Sequence, residues 1–339
     1  MTANATPATV SVAMGSRNGA AHIEEQVASI LGQTLAPLEL VLSDDASTDG
    51  TVEIVERVFA KHASAHPEAD IRLRVLRNPI ALGVAGNFAQ ALAACIGDVI
   101  ALSDQDDVWE PERLERLVAR LSAPPDVIAV HSDARLVDGQ GHPLGSTLFQ
   151  AIRLSGAERR AIDRGRAFDV LLRRNVATGA TMVLTRSLRD AALPVPEGWI
   201  HDEWLAIIAS IEGELRREDR ALTGYRQHGG NEIGARKIGM SDRVDRLREP
   251  RAERNRRLLM RAESLAARYP NRDPVSSSVA NRIAGKLRHE RSRSALPSAR
   301  WARIPSIVVA TVRGDYHRYG RGLQDVLRDT VQPARDVST

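Results

Sequence analysis

Apolar residues along the first 125 positions recur in two patterns that alternate. Short aliphatic runs at 9–13, 38–42, 71–76 and 98–102 predict four strands. Between these runs, apolar residues return every three or four positions over 22–33, 51–62 and 85–95, and again after Pro111, which predicts helices. Strands that alternate with helices indicate βαβ units and a mostly parallel central sheet with helices on both faces.

Polar residues follow three of these predicted strands directly. The first strand runs into the turn MGSRNGA, the second ends in SDDAS, and the fourth ends in SDQDD. The carboxyl ends of parallel strands meet at one edge of a sheet, which is where open α/β sheets bind ligands. A single acidic turn after a strand is ordinarily only solvated, but two at the same edge favour a binding site.

Three aspartates after the fourth strand occupy four positions: Asp104, Asp106 and Asp107. Carboxylates repel one another, so a divalent cation explains the cluster better than a solvated turn. Mg²⁺ and Mn²⁺ prefer oxygen ligands and are usually held by one or two carboxylates together with substrate phosphates. The sequence lacks both G-x-x-x-x-G-K-[ST] and G-x-G-x-x-G, which excludes P-loop and dinucleotide sites. The cluster therefore predicts a cation that is shared with a nucleotide.

Composition places the chain among soluble α/β proteins. Its 339 residues suffice for one large domain or two moderate ones, and 43% are hydrophobic but only 4% aromatic. The one cysteine, Cys95, excludes an internal disulfide framework and is typical of a reducing compartment. The first sixteen residues predict no signal peptide, and no apolar window approaches the length of a membrane span.

Charge is distributed unevenly along the chain. Residues 1–240 hold 25 basic and 32 acidic residues, whereas residues 241–339 hold 22 and 11. A tail with net charge +11 suits nucleic acid, anionic lipid or another acidic partner. No recognised nucleic-acid-binding module accompanies the arginines, so we expect no nucleic acid.

Several segments together resemble one protein family. They are VSVAMGSRNG, LVLSDDASTDGTVEIV, NPIALGVAGNFAQAL, GDVIALSDQDDVW, HDEW and YRQHGGN. The chain resembles family 2 glycosyltransferases of the GT-A fold over about residues 8–235. ALSDQDDVW, VHSDARLVD and LLRRNVATGATM are most similar to bacterial rhamnosyltransferase-like members. The resemblance implies a nucleotide-binding half (8–110), an acceptor-binding half (111–235) and inverting glycosyl transfer that requires a divalent metal.

The resemblance also implies roles for residues of the first half. Asp44 and Asp45 would bind the nucleoside. Asp104 and Asp106 would form the D-x-D pair, with Asp106 as the direct ligand of Mg²⁺ or Mn²⁺; D-Q-D-D can be read in two registers, so Asp107 could replace it. Relatives usually carry an aromatic residue at the position of Arg17, which leaves Arg17 as a candidate nucleotide contact.

In the second half, the resemblance points to HDEW and YRQHGGN. Asp202 would be the general base that deprotonates the acceptor hydroxyl. Glu203 would be the alternative base, or it would contact the acceptor or the donor sugar. His228 would be a further ligand of the metal. Arg226 and Gln227 would contact the diphosphate. Two further residues, Asp133 and Gly179, are weaker candidates for contact with the acceptor or the donor sugar.

The expected function is that of a metal-dependent glycosyltransferase in cell-surface polysaccharide synthesis. The first donor hypothesis is dTDP-rhamnose, with UDP-sugars as the alternative, and the acceptor would be a saccharide or a lipid-linked saccharide. A receiver-like or phosphatase-like pocket would need a lysine after a later strand, and residues 1–240 contain only Lys61 and Lys237. The non-enzymatic alternative is a scaffold that binds sugar nucleotides without catalysis.

The region 236–339 is expected to be basic and mainly helical. Apolar stripes flanked by arginine suit a helix that lies on an anionic membrane surface. The alternative is a structural cap that buries the stripe from Leu258 to Leu265 against the catalytic domain. The expected location is cytoplasmic, with a peripheral position at the inner face of the membrane under the first hypothesis.

Overall fold

The computed structural model describes residues 8–122, 124–227, 250–270 and 277–333. Its central feature is a nine-stranded sheet in the order β3-β2-β1-β4-β8-β6-β9-β5, with β7 paired to β6. The strands are β1 (Val10–Ser16), β2 (Glu39–Asp44), β3 (Arg72–Arg77), β4 (Val99–Ser103), β5 (Val108–Trp109), β6 (Val127–Val137), β7 (Pro143–Thr147), β8 (Met182–Thr185) and β9 (Glu214–Arg226).

The first half of the sheet has the predicted parallel arrangement. β1 pairs in parallel with both β2 and β4, and β2 pairs in parallel with β3. The second half is mixed, because β8 runs antiparallel to both β4 and β6, whereas β6 and β9 are parallel. The short β5 runs antiparallel to β9 and brings the chain after the acidic cluster back to the sheet.

Nine helices accompany the strands within the described part of residues 1–227. They are α1 (Ile23–Leu31), α2 (Thr51–Ala65), α3 (Gly83–Ala94), α4 (Arg113–Ser122), α5 (Leu148–Ala151), α6 (Gly156–Asp163), α7 (Ala167–Leu171), α8 (Arg186–Ala192) and α9 (His201–Glu212). The described C-terminal residues add α10 (Arg251–Arg268), α11 (Ser277–Ser294), α12 (Arg300–Val312), α13 (Asp315–Tyr319) and α14 (Leu323–Val331). None of the described helices is both long and apolar enough to cross a bilayer.

The predicted apolar faces build the main core. Ile23, Val27 and Ile30 of α1 are fully buried in one cluster with residues of the first strands, such as Val12 and Leu40. The helix α4 adds Leu114, Leu117 and Leu121 to the same cluster. Burial of each such side chain stabilises the fold by about 1.5–3 kcal/mol, and together they fix the strand ends that carry the polar turns.

The chain divides into two compact units that are not continuous in sequence. The first contains Met1–Ala167, Val176–Val195 and Ile200–Arg236, and the second contains Phe168–Asn175, Pro196–Trp199 and Lys237–Thr339. The second unit therefore includes two short segments from the middle of the chain. Within it, the Nε1–H of Trp199 donates to Ser264 Oγ at 2.8 Å, and Arg282 forms an ion pair with Asp169.

Buried charges hold the second unit together. The Arg293 guanidinium donates to both carboxylate oxygens of Asp329, at 2.6 and 3.0 Å, and the Tyr316 hydroxyl donates to the same carboxylate at 2.9 Å. Arg303 is fully buried and donates to backbone carbonyls, including those of Asp329 and Gln332. Paired charges of this kind satisfy one another, but loss of one partner would leave an uncompensated buried charge.

Candidate active site

The end of β2 carries two buried aspartates whose carboxylates are engaged in the fold. Asp44 accepts hydrogen bonds from the Ser16 hydroxyl at 2.8 Å and from the Ser47 hydroxyl and backbone N–H. Asp45 accepts from the backbone N–H groups of Leu82 and Gly83, at 2.6 and 3.0 Å. These two N–H groups lie at the start of α3, where a helix favours negative charge. Both residues therefore shape the nucleotide-side edge that the sequence predicts.

Gln105 joins the loop after β1 to the acidic cluster. Its Oε1 accepts from the Arg17 backbone N–H at 2.8 Å, and its amide nitrogen donates to the Arg17 carbonyl at 3.1 Å. A side chain at Gly19 would collide with Gln105, because a Cβ there would lie 2.4 Å from its Oε1. The Arg17 side chain is exposed beside this junction, where it stays a candidate nucleotide contact.

Three carboxylates converge immediately after β4. One oxygen from each of Asp104, Asp106 and Asp107 lies within 4.8 Å of the others, which makes the cluster a candidate metal site. Asp104 and Asp106 are half-buried, and Asp107 is buried. Asp107 Oδ1 accepts from the Arg226 backbone N–H at 3.0 Å, whereas Oδ2 is buried without a partner among the described residues. A buried carboxylate oxygen without a donor is costly unless a cation or a proton satisfies it.

The pKa values of the cluster also favour a bound cation. Burial, together with the charges of Asp106 and Asp202, raises the pKa of Asp104 to about 8. Burial and the charges of Asp106 and Asp104 hold the pKa of Asp107 well above its usual range. Asp104 and Asp107 therefore resist ionisation near neutral pH unless a counter-charge is present. Hard carboxylate oxygens at this spacing fit Mg²⁺ or Mn²⁺.

Arg226, at the end of β9, supports the acidic cluster through hydrogen bonds to its backbone and side chains. Its side chain is 2% exposed, and it donates to the Asp106 carbonyl at 2.7 Å, to the Gly139 carbonyl and to Glu25 Oε2 at 2.6 Å. These protein acceptors use each of the guanidinium nitrogens. The Gln227 backbone N–H donates to the Val137 carbonyl at 2.8 Å. The predicted metal contact of His228 lies outside the described residues.

Asp202 lies in the first turn of α9, as the sequence predicts. Its Oδ2 accepts from the Gly179 backbone N–H at 3.0 Å, and its Oδ1 accepts from the Glu203 N–H at 2.6 Å. Its charge contributes to the raised pKa of Asp104, so the two carboxylates lie near each other. A Cβ at Gly179 would lie 2.9 Å from His201 Nε2 and 3.2 Å from Asp202 Cβ, so this close approach requires glycine.

His201, beside Asp202, packs instead of titrating. Its ring is 4% exposed and stacks on Phe88 with the centroids 3.9 Å apart. Burial lowers the pKa of His201 to about 3, so the ring is neutral at physiological pH. It therefore supports the start of α9 as an uncharged group.

Asp133 on β6 serves the fold with one of its oxygens. Oδ1 accepts from the backbone N–H groups of Ala134 and Phe149, both at 2.9 Å, and the residue is 6% exposed. The second of these N–H groups belongs to the first turn of α5, so Asp133 caps that helix. A contact between Asp133 and a sugar stays a prediction.

Comparison with known proteins finds a family match for the region that contains the acidic cluster. Residues 11–173 match the family model described as Glycosyl transferase family 2. The matched segment makes up a little under half of the chain. An uncharacterized glycosyltransferase of Nostoc sp. is 28% identical over 226 residues, which is 66% of either chain. A UDP-Glc:alpha-D-GlcNAc-diphosphoundecaprenol beta-1,3-glucosyltransferase of Escherichia coli, WfgD, is 34% identical over 113 residues, which is 33% of this chain and 40% of that protein.

Comparison with solved structures identifies the fold of the chain. The mannosyltransferase PcManGT from Pyrobaculum calidifontis, solved in complex with GDP-Man and Mn²⁺, superposes with a TM-score of 0.55 at 19% identity. The superposition covers 91% of this chain and 76% of the mannosyltransferase. The predicted GT-A fold is thereby confirmed. The chain spans 66% or less of the length of the two curated relatives described above.

One buried cation, on α4, is not among the residues predicted from the sequence. Arg113 is fully buried, lies 3.7 Å from the centroid of the Trp109 ring and donates to the Ala180 carbonyl at 3.0 Å. Burial lowers the pKa of Arg113 to about 9, and the negative charge of Asp107 opposes that shift. The sequence did contain an indication of this burial, because Arg113 lies one turn before Leu117 on the apolar stripe of α4.

Proposed function

We propose that the protein is an inverting glycosyltransferase that uses a nucleotide-diphospho-sugar and a divalent cation. The observation that carries the proposal is the convergence of three carboxylates after β4, with an unsatisfied buried oxygen on Asp107, inside the segment that matches the family 2 model. The E. coli relative WfgD, whose name specifies transfer from UDP-Glc, supports the reaction class.

Asp106 is the proposed direct ligand of the cation, and Asp107 is the second candidate because its Oδ2 has no donor among the described residues. Mg²⁺ or Mn²⁺ would neutralise charge on the diphosphate of the donor. Asp104 completes the acidic cluster, where it would bind donor. Arg226, with its guanidinium held by protein acceptors, would position the loop more than contact the diphosphate.

Asp202 is the proposed general base. The acceptor hydroxyl attacks the anomeric carbon, its proton passes to the Asp202 carboxylate, and the bond from that carbon to the diphosphate oxygen breaks with its electron pair on the leaving nucleotide. Attack from the side opposite the leaving group inverts the configuration. The Gly179 N–H holds one carboxylate oxygen at 3.0 Å, which supports a fixed orientation for the base.

For the donor we propose dTDP-rhamnose first and a UDP-sugar second. The rhamnose hypothesis depends only on the resemblance of segments such as ALSDQDDVW to rhamnosyltransferase-like proteins. By contrast, the E. coli relative is named for UDP-Glc, and the archaeal structure contains GDP-Man. Asp44, Asp45 and Arg17 would contact the nucleoside. The proposed acceptor is a saccharide or lipid-linked saccharide of a cell-surface polysaccharide, as the diphosphoundecaprenol in the E. coli name suggests.

Calorimetric titration of nucleotide sugars tests the proposal. Wild-type protein with Mn²⁺ should bind one donor of the panel, and EDTA should abolish that binding. Donor at 100 times its Kd should add about 2.7 kcal/mol to the free energy of unfolding. Asp106→Asn should lose metal-dependent binding, because an amide brings no charge to a hard cation.

Asp70→Asn is the matched control, since it removes one carboxylate whose side chain is 88% exposed. It should bind donor as the wild type does. Unchanged metal-dependent affinity in Asp106→Asn would contradict the proposed site. Donor binding without transfer to any acceptor would favour the scaffold instead.

A further inference from the structure

The second unit leaves an unusual number of large apolar side chains exposed on two helices. Of the twelve such side chains in the described part of the chain, eight lie on α12 and α14. Trp301 is 78% exposed and Val312 is 83% exposed. The full set is Trp301, Ile304, Val308, Val309 and Val312 on α12 with Leu323, Leu327 and Val331 on α14, here called the apolar face. Exposed apolar groups concentrated in this way mark interaction surfaces.

Helical spacing places these residues on stripes. Trp301, Ile304, Val308 and Val312 follow intervals of three and four along α12, and the three residues of α14 follow intervals of four. The opposite side of α12 contributes Ile307 to a small core with Leu296 and Tyr316. The helix α12 is therefore apolar on its outward stripe and also at Ile307, where it is buried.

The inward side of both helices is held by polar groups. Arg303 of α12 is fully buried among backbone carbonyls, and Asp325 and Asp329 of α14 pair with Arg254 and Arg293. Rotating either helix to bury its outward stripe would expose these paired groups and break their bonds. The apolar face is thus a fixed feature of the unit.

Exposed charges along residues 300–331 are mainly basic, and Asp315 is the half-buried acidic exception. Residues 300–313 contain three arginines and no acidic residue. The exposed arginines are Arg300, Arg313, Arg318 and Arg321, whereas the two acidic residues of α14 are buried in ion pairs. A second copy of the chain would bring the same arginines against one another, which disfavours self-association through this face.

We propose that the apolar face docks on an anionic phospholipid bilayer, with Trp301 and its neighbours in the interface and the surrounding arginines on lipid phosphates. Tryptophan prefers the level of the head groups, and each arginine near an anionic surface contributes about 1 kcal/mol. The 13 residues of α12 span roughly 20 Å, less than the hydrocarbon thickness, so the helix lies on the surface. The docking is independent of glycosyl transfer and assigns the predicted membrane association to particular residues.

Vesicle binding of the full chain, without metal or donor, tests this inference. Vesicles of phosphatidylcholine mixed with phosphatidylglycerol should sediment the wild-type protein, and pure phosphatidylcholine should sediment much less. Arg313→Gln should lower the partition coefficient roughly fivefold, which corresponds to about 1 kcal/mol. The double variant Trp301→Ser, Val312→Ser should lower it by at least about tenfold, since both side chains lose apolar area in the bilayer. Both positions are exposed, so the fold should tolerate these changes.

Leu144→Ser is the matched control, because Leu144 is 43% exposed on β7 and should not affect binding. The wild type should show a blue shift of tryptophan emission on vesicles, and Trp301→Phe should still bind but lose that shift. Equal vesicle binding by the double variant and the wild type would overturn the inference. So would a wild-type dimer that the double variant abolishes. Neither outcome would affect the donor titration, so the two proposals fail separately.

Discussion

His131 provides a sharp test of how burial controls the stability of the first unit. The ring lies on β6 with 0% exposure and has its edge toward Phe149 at a centroid distance of 5.4 Å. Both ring nitrogens lack a hydrogen-bond partner among the described residues. Burial, reinforced by the charge of Arg217, lowers the pKa of His131 to about 4 from an ordinary 6.5. The folded state therefore keeps this ring neutral where the unfolded chain would protonate it.

The sign and size of the effect follow from that difference. Between pH 6.5 and pH 4 the unfolded state binds a proton that the folded state does not, so stability is lost as the pH falls. At pH 5 the loss amounts to about 2 kcal/mol, and at pH 8 it is negligible. His131→Leu removes the titrating group. Any packing cost of leucine is the same at both pH values, so the difference between them isolates the protonation.

Urea unfolding of the wild type and His131→Leu at pH 8 and pH 5 measures this quantity. Fluorescence can follow the first unit, because Trp109 and Trp204 are buried in it. Relative to wild type, His131→Leu should gain about 2 kcal/mol more at pH 5 than at pH 8. The exposed His66→Leu is the control and should show no such difference. A gain in His131→Leu that is equal at the two pH values would refute the reasoning.

Three further predictions concern the candidate site. Asp202→Asn should retain donor affinity but lose about 10²–10⁴-fold in turnover, measured with donor and acceptor; loss only in Glu203→Gln would assign the base to Glu203. Gly179→Ala should destabilise the fold by about 1–3 kcal/mol in urea and lower turnover, because its Cβ would press on His201; normal stability would contradict the close approach. In EDTA at pH 7.5, Asp104→Asn should be more stable than wild type by up to about 5 kcal/mol, because the raised pKa of Asp104 means that its ionisation destabilises the folded state increasingly from pH 4 to pH 8. The gain in stability should be less than half as large at pH 5, and an equal gain at the two pH values would argue against this explanation.

The first half of the fold could be predicted because its local patterns agree with its tertiary structure. The strand from Val10 and the helix from Ile23 each carry the apolar period that their final burial requires. The acidic cluster was also predictable, since three carboxylates in four positions have few structural uses. The same pattern could not indicate that Asp45 caps α3, because that contact joins positions 37 and 38 residues apart.

The strand β9 shows where prediction from local pattern fails. Glu214–Arg226 begins with ELRREDR, and six charges in seven positions do not predict a strand inside a sheet. Tertiary pairing supplies what the pattern lacks: Arg217 pairs with Asp163, and Arg220 pairs with Glu112. The buried arginines of the second unit were equally hidden, because an arginine that pairs inside a fold and one that is solvated look alike in sequence.

The interleaved second unit has a consequence for synthesis of the chain. Asp169 and Phe168 leave the ribosome well before their partner Arg282, which follows Asp169 by 113 residues. At about 5–20 residues per second, the segment 168–175 waits roughly 6–20 s for that partner. During this interval Phe168 has no finished helical unit to pack in, which makes the nascent segment a candidate chaperone-binding site. A chain stopped near residue 239 would prolong that wait indefinitely, so shortened forms of the protein should require more chaperone than the full chain.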